Sequence, residues 1–492
     1  MFKTRTLVLC LLAVHGVGGE ANFNPLQHSG PASPYFDAPS QDGIPTETPP
    51  GCRVDQAAYI LRHGSRYPEP GSFQGWVNLF NKFQNASYTA RGPLAFIPSW
   101  VPPVDDLPHE PPFLTSTGAG EAFSLGVDLR KRYGFTKGGT DFTIWSASQQ
   151  RVLDTGAYFL RGYLSQGSYN SDLSLNRGFT ISLPDSVNNT FADSLTPSTS
   201  FPLYTSGDRG SAMASQFRAT YLPNIARRLN QHFLDGLVLD PVDVGIMQDL
   251  CGFSAEINGD TRFCNIFEPS EWLDYEYAHD LNYYYGSGPG NPFSATVGFP
   301  WVKAITDIFV AGPGRSPTGA SATPPPLMMG FTHDNNLPPI ISALGVWNTS
   351  KPRGAPIYPL SPTTPNPERM FRSSFLVAFR GYVALERLAC DNTGPAQEVK
   401  HVAGTAASDK GNKPSHFVRI RVDNAPVPIP GCTDGPGATC SLSAFVKHVN
   451  TQGRVAGDFV DRCGLSGVPG ATSRLQFLTN QPMPASVIPL PS

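Results

Sequence analysis

No stretch of the 492-residue chain reaches the roughly 18 consecutive apolar residues that a membrane-spanning helix needs. Positive charge is not in surplus either: 36 Lys and Arg stand against 39 Asp and Glu, a net charge of −3. That balance excludes a partner recognised mainly through phosphate backbone or an anionic bilayer surface, so neither nucleic acid nor a membrane is expected. Internal repeats are missing, and so is lysine between residues 165 and 300, where six Arg face fifteen Asp and Glu. The remainder of the chain is therefore net basic. Cysteine is sparse, at eight residues, whereas glycine and proline are abundant, at 48 and 49. Together they make up about a fifth of the chain, short of the roughly 25–30% at which low complexity explains a composition better. With 40% hydrophobic and 11% aromatic residues, the chain reads as ordered and globular, with turn-rich loops and enough core for more than one domain.

The N terminus, MFKTRTLVLCLLAVHGVGGE, places Lys3 and Arg5 before an apolar run from Leu7 to Val14 and then small residues. This is the layout of a secretory signal peptide over residues 1–20, with cleavage between about Gly18 and Ala21. Sequons at Asn85, Asn188 and Asn348 agree with secretion. Once Cys10 leaves with the signal, seven cysteines remain, which suits disulfides in an oxidising compartment. Close spacing suggests Cys251 with Cys264 and Cys432 with Cys440. Cys52, Cys390 and Cys463 are left, and the odd count leaves one thiol unexplained.

Residues 21–50 are Pro-rich without apolar periodicity and read as an extended arm; residues 466–492 read as a comparable tail. Between them three segments share one grammar. AAYIL (57–61) leads into RHGSRYP, FTIWSAS (142–148) into QQRVLDTGAYFLRGYL, and LMMGF (327–331) into THDNNLPPIISALGV. Each is a strand, a short polar loop and a helix, the repeating unit of a mostly parallel sheet flanked by helices. The expected fold is thus α/β, with residues 51–164 and 311–465 forming the sheet domain. Residues 165–310 are expected as a mostly helical insertion. The segments 373–390 and 416–429 alternate apolar and polar residues, suggesting antiparallel edge strands.

Open parallel sheets gather ligand sites at the carboxyl ends of their strands, near helix N-termini. Side by side, the three loops would assemble Arg62, His63, Arg66, Arg151, His333 and Asp334. Guanidinium forks match phosphate oxygens and keep their charge at any pH. Their field lowers the pKa of His63, keeping one ring nitrogen free to attack in mild acid and form a phosphohistidine. Arginine cannot protonate a leaving alkoxide; Asp334 is the candidate acid, and its need for a proton implies an acidic optimum. His333 would bond the transferring oxygens or orient Asp334. Taken singly these residues have plainer readings: Arg151 in a first helical turn as a surface ion-pair partner, His333 as a core histidine, and the aromatic run Tyr283–Tyr285 as core packing. A metal site is disfavoured, because His63, His333 and Asp334 lack regular ligand spacing and no cysteine joins them.

RHGSRYP matches the RHGxRxP signature of the histidine acid phosphatases, and THD supplies that family's later His-Asp pair. ADSLTP (192–197), DLNYYYGSGPG (280–290), FTHDNNLPPIISALGV (331–346), LERLAC (385–390) and GCTDGPGATC (431–440) resemble the fungal secreted acid phosphatase and phytase branch, across nearly all of 50–465. The resemblance implies an α/β domain with an inserted helical domain and a cleft between them. It implies His63 as nucleophile, Asp334 as proton donor, phosphate held by Arg62, Arg66 and Arg151, His333 on the phosphoryl oxygens, and no metal or other cofactor. It also implies bridges Cys52–Cys390 and Cys432–Cys440. The chain departs from the pattern where relatives place a partner for the last cysteine: VPPVDD (101–106) holds none, so Cys463 is left alone. The variable signature position is Ser65, which declares no substrate.

The expected activity is a secreted acid phosphatase acting on small phosphate monoesters. Because the insertion is acidic, phytate hydrolysis is expected to be secondary; a phytate-selective phytase is the alternative. A phosphoglycerate-mutase-like transferase fits secretion poorly, and a non-catalytic phosphate-binding cell-wall protein would not need both His63 and Asp334. A homo-oligomer stays open, with the Pro-rich arm free to contact a second copy.

Overall fold

The computed structural model describes residues 23–40, 42–135, 141–165, 177–184, 195–196, 202–347, 359–391, 414–479 and 486–489. The expected signal peptide, the sequons at Asn188 and Asn348 and most of ADSLTP lie outside them; Asn85 is exposed.

The strands in chain order are β1 (Cys52–Arg62), β2 (Thr89–Ala90), β3 (Phe142–Ala147), β4 (Gly178–Leu183), β5 (Leu234–Asp235), β6 (Leu327–Thr332), β7 (Tyr382–Cys390), β8 (Ser415–Val422), β9 (Ala425–Val427), β10 (Cys440–Ser441) and β11 (Ser486–Pro489). The main sheet runs β10-β8-β7-β1-β6-β3-β4-β11, with β9 added to β8; β2 and β5 pair separately. The central strands β1, β6, β3 and β4 are mutually parallel, and helices cover both faces. The alternation of strand side chains explains the uninterrupted apolar runs. Ala57, Tyr59 and Leu61 join Met329 and Phe331 in a core under the helices α2 (Ser116–Tyr133) and α3 (Gln150–Leu164). Ala58, Ile60 and Met328 join Trp301, Ile340 and Phe445 in the core on the opposite face.

Within 165–310 the structure is helical in large part, but not throughout. GFTISL forms β4, paired with β3, and the helix Ser294–Ala311 packs on the helices Pro338–Leu344 and Leu442–Ala456 beside the sheet. The helices Gly210–Phe233, Pro241–Asn258 and Pro269–Gly286 pack on one another or on the arm. Pro241–Asn258 starts sharply: Asp240 accepts from the backbone of Val242 and Asp243, Asp243 reaches back to the Asp240 amide, and Pro241 takes the first turn.

Neither segment expected at an edge sits there: β8, from 416–429, lies between β7 and β10 and also pairs β9, and YVALERLAC forms β7 inside the sheet. β7 lies between β1 and β8 with every residue buried. Its polar residues, which mimic a solvent face in sequence, are buried ion partners: Glu386 pairs with Arg419 and Arg421, and Arg387 with Asp55. Cys52–Cys390 ties β1 to β7, and Cys251–Cys264 and Cys432–Cys440 are also bonded. Cys463 is buried and free, its thiol pushed up to about 12 by burial. The arm is laid along the body: Arg419 and Arg421 donate to the carbonyls of Glu47 and Thr46.

The loop after β1 is pinned at two points. A Cβ on Gly64 would sit 2.7 Å from the Gly118 carbonyl oxygen, and one on Gly118 would sit 2.2 Å from that of Ser65. The loop and the start of α2 therefore touch backbone to backbone, which only glycine permits. Beside this contact the Ser65 hydroxyl lies 3.2 Å from Glu121 of α2 and also bonds Glu256 of the helix Pro241–Asn258. One hydroxyl has a single hydrogen, so both contacts are hydrogen bonds only if one carboxyl is protonated. Burial, and then the charge of Glu256, push Glu121 up to about 7 against the pull of Arg380 and Ser65; burial also raises Glu256. A carboxyl raised by folding gives stability that is full below its ordinary pKa and is lost as pH rises through the folded value. Unfolding free energy is expected to drop by on the order of 2–3 kcal/mol between about pH 5 and 8, and Glu121→Gln should flatten that slope. Urea unfolding across this range measures it; an equal slope in both proteins would remove Glu121 as its source.

Candidate active site

β6 lies between β1 and β3, so the carboxyl ends of all three parallel strands open at one side of the sheet. Register does the fine placement. Arg62 is paired with Thr332, and the His63 amide donates to the Thr332 carbonyl at 2.9 Å. His63 and His333 thus become neighbours, their ring centroids 5.6 Å apart and their planes at 71°. The third loop is tied in by Thr155 of α3, whose hydroxyl donates to the Arg151 carbonyl at 2.7 Å and accepts from the Gly64 amide at 3.1 Å. One threonine therefore fixes Arg151 relative to the loop carrying His63.

The six residues named from sequence come together. His63 is 1% exposed. Its Nδ1 lies 2.8 Å from the Gly64 carbonyl oxygen. A carbonyl only accepts, so Nδ1 carries the proton and Nε2 keeps its lone pair. Burial, then Arg62, Arg151, His333 and Arg66, hold the imidazole well below the usual histidine range. It therefore stays neutral in mild acid. The pocket opens where the side chains of Asp334 and Glu69 are 23% and 42% exposed.

The three arginines differ. Arg62 is buried at the end of β1; its Nη1 donates to the carbonyls of Pro31 and Val377, its Nη2 meets Asp334 Oδ2 at 3.1 Å, and its guanidinium lies 4.5 Å from the Phe379 ring. Arg66 donates to the Tyr67 carbonyl and is held down at about 10 by burial and by Arg62 and Arg151. Arg151 Nη2 meets Glu69 Oε1 at 3.0 Å. Arg62 Nε and Arg66 Nε are buried with no acceptor among the described residues, a donor surplus suited to an oxyanion.

Asp334 answers to opposing influences. Burial raises its carboxyl, but Arg62, Arg66, His333 and a hydrogen bond from Tyr283 together hold it below the ordinary range. It also accepts from the Asn335 amide at 2.8 Å. Tyr283 was expected as core and is buried, yet its hydroxyl reaches Asp334. Sequence reasoning passed over Tyr283, Glu69 and the acceptors of Pro31 and Val377. Only Glu69, three residues past Arg66 in the same loop, left a local signal. Beside Tyr283 and Asn335 lies a cavity of roughly 250 Å³ lined also by Tyr204, Asp208 and Asn282, without lysine or arginine.

Comparison with known proteins is consistent with this geometry. The acid phosphatase PHO1 of Komagataella pastoris is 26% identical over 452 residues, covering 90% of this chain and 87% of that protein. Phytase A of Aspergillus awamori is 28% identical over 464 residues, covering 88% and 89%. The crystal structure of a phytase from D. castellii superposes with a TM-score of 0.75 at 23% identity, over 92% of this chain and 90% of that one, and shares its fold. The profile of the histidine phosphatase superfamily (branch 2) matches residues 53–422, and the chain belongs to that family.

Proposed function

We propose that the protein is a secreted acid phosphatase that hydrolyses phosphate monoesters through a phosphohistidine on His63, without metal. The observation that carries this reading is the buried His63 ring, its Nδ1 on the Gly64 carbonyl and its Nε2 without a partner among the described residues, beside three arginines that with burial hold it well below the usual histidine range. His63 Nε2 attacks phosphorus; the P–O bond to the leaving group breaks, and that oxygen takes a proton from Asp334. Water then attacks phosphorus and gives a proton to the Asp334 carboxylate as the P–Nε2 bond breaks; inorganic phosphate leaves and His63 regains its lone pair. Arg66, Arg151 and the free Nε–H of Arg62 hold the phosphoryl oxygens, with His333 beside them. Arg62 has a second task, since its Nη2 holds Asp334.

In the free protein Asp334 favours its ionised form. A bound phosphoryl anion among the same arginines cancels part of the field that depresses it, so substrate itself moves the carboxyl toward the protonated state. Activity is accordingly expected in acid and lost as pH rises. Compartment and redox chemistry agree: three disulfides suit an oxidising exterior. For the substrate, the cavity beside Tyr283 presents hydroxyls, amides and one carboxylate. Such a wall suits a neutral or singly phosphorylated leaving group, with phytate secondary.

His63→Ala is expected to abolish turnover, and rapid acid-free quenching with labelled substrate should trap acid-labile phosphate on the wild-type chain alone; trapping on the variant would displace His63 as nucleophile. Asp334→Asn should cost about 10²–10⁴-fold in kcat on alkyl phosphates and far less on p-nitrophenyl phosphate, whose leaving group needs little protonation. Equal losses on both would mean that Asp334 is not the acid. Steady-state rates on phytate and p-nitrophenyl phosphate between pH 3 and 6 test breadth, and a strong phytate preference at pH 5 overturns it.

A further inference from the structure

Glu69 ends the loop after β1 and occupies the N-cap of the helix α1 (Pro70–Asn85), yet its side chain makes no capping hydrogen bond. Its Oε1 instead lies 3.0 Å from Arg151 Nη2 and 3.8 Å from Arg66 Nη2. On the other side of the pocket Asp334 faces Arg62. Each cation around His63 is thus met by a carboxylate in the free protein. The two carboxylates are not equivalent. Asp334 is held by the Asn335 amide and by Tyr283, whereas Glu69 is 42% exposed at the side chain and meets the pocket through guanidinium groups. An anion so placed neutralises Arg66 and Arg151 when the site is open and can swing away when a better-charged oxyanion arrives.

We propose that Glu69 is an internal competitor of the phosphoryl group: its carboxylate takes the Arg66 and Arg151 donors in the free enzyme, must be displaced by substrate, and returns to expel product phosphate. The proposal rests on the reading of Arg66 and Arg151 as phosphate binders. Glu69 therefore sets affinity rather than the chemical step. It penalises every phosphate ester alike at the reacting phosphoryl group, and it penalises additional phosphates on the same substrate further through charge repulsion at the mouth.

The test uses the full secreted protein with inorganic phosphate as probe. For Glu69→Gln and Glu69→Ala, the Ki of phosphate and the KM of p-nitrophenyl phosphate are expected to fall together by about three- to ten-fold, the range of one or two partly exposed ion pairs. kcat should not rise, because product is then held more tightly. The temperature shift that phosphate produces in thermal unfolding should grow in step, a readout independent of turnover. Unchanged or weaker phosphate affinity in both variants overturns the proposal and makes Glu69 a prop that positions the arginines. Arg151→Ala separates the two levels. If it leaves phosphate affinity intact, the phosphate-site reading itself fails; if it weakens affinity while Glu69→Gln does not strengthen it, only the role of Glu69 falls.

Discussion

Like charge held away from water is the constraint around which this molecule is arranged. At an effective dielectric near 20, two unit charges about 5 Å apart repel by roughly 3 kcal/mol, so three guanidinium groups in one pocket approach the whole stability of a typical domain. The protein offsets this with acceptors drawn from distant parts of the chain: the carbonyls of Pro31 and Val377 for Arg62, that of Tyr67 for Arg66, and the carboxylates of Asp334 and Glu69. Arg66 still shows residual stress, held down at about 10. Burial and then the same field hold His63 well below the usual histidine range, so the feature that costs stability also favours the neutral imidazole that the proposed chemistry uses.

The sheet was legible in sequence because parallel central strands are buried on both faces and announce themselves as short apolar runs ending in polar loops, whereas the family was legible through the resemblance carried by RHGSRYP and THD. Arg62, His63, Arg66, Arg151, His333 and Asp334 could be named on that basis, since each follows such a run. The supporting groups could not. A backbone carbonyl carries no residue identity, so Pro31 and Val377 leave no mark. Ser65 meets Glu121 and Glu256 across 56 and 191 positions, and neither glutamate differs in its local surroundings from a solvated one. Tyr283 hides within an aromatic run that is mostly core. β7 misled for a related reason: Glu386 and Arg387 imitate an exposed face while lying buried in ion pairs.

Acidity recurs near the pocket in forms with different chemistry. Asp334 is clamped, Glu69 is partly exposed, and Glu121 and Glu256 both meet the Ser65 hydroxyl, with burial raising each. Asp208 lines the neighbouring cavity. Of the fifteen carboxyls between 165 and 300, Glu256 stands behind the loop after β1 and Asp208 in the cavity beside Tyr283, while others such as Asp235 and Glu268 are exposed. Each of these carboxyls becomes less repulsive toward anions as protons are added.

The contacts that complete the pocket also impose an order on synthesis. Arg421 and Arg419 hold the carbonyls of Thr46 and Glu47 across 375 and 372 positions, and Cys52 waits for Cys390 across 338. The first portion made thus lacks part of its partners until residues 390–421 follow, although β1 meets β6 and His28 meets Glu276 earlier in the chain. The arm and β1 are therefore secured in full only by strands that follow them by more than 300 positions, β7 through its disulfide and β8 through its arginines.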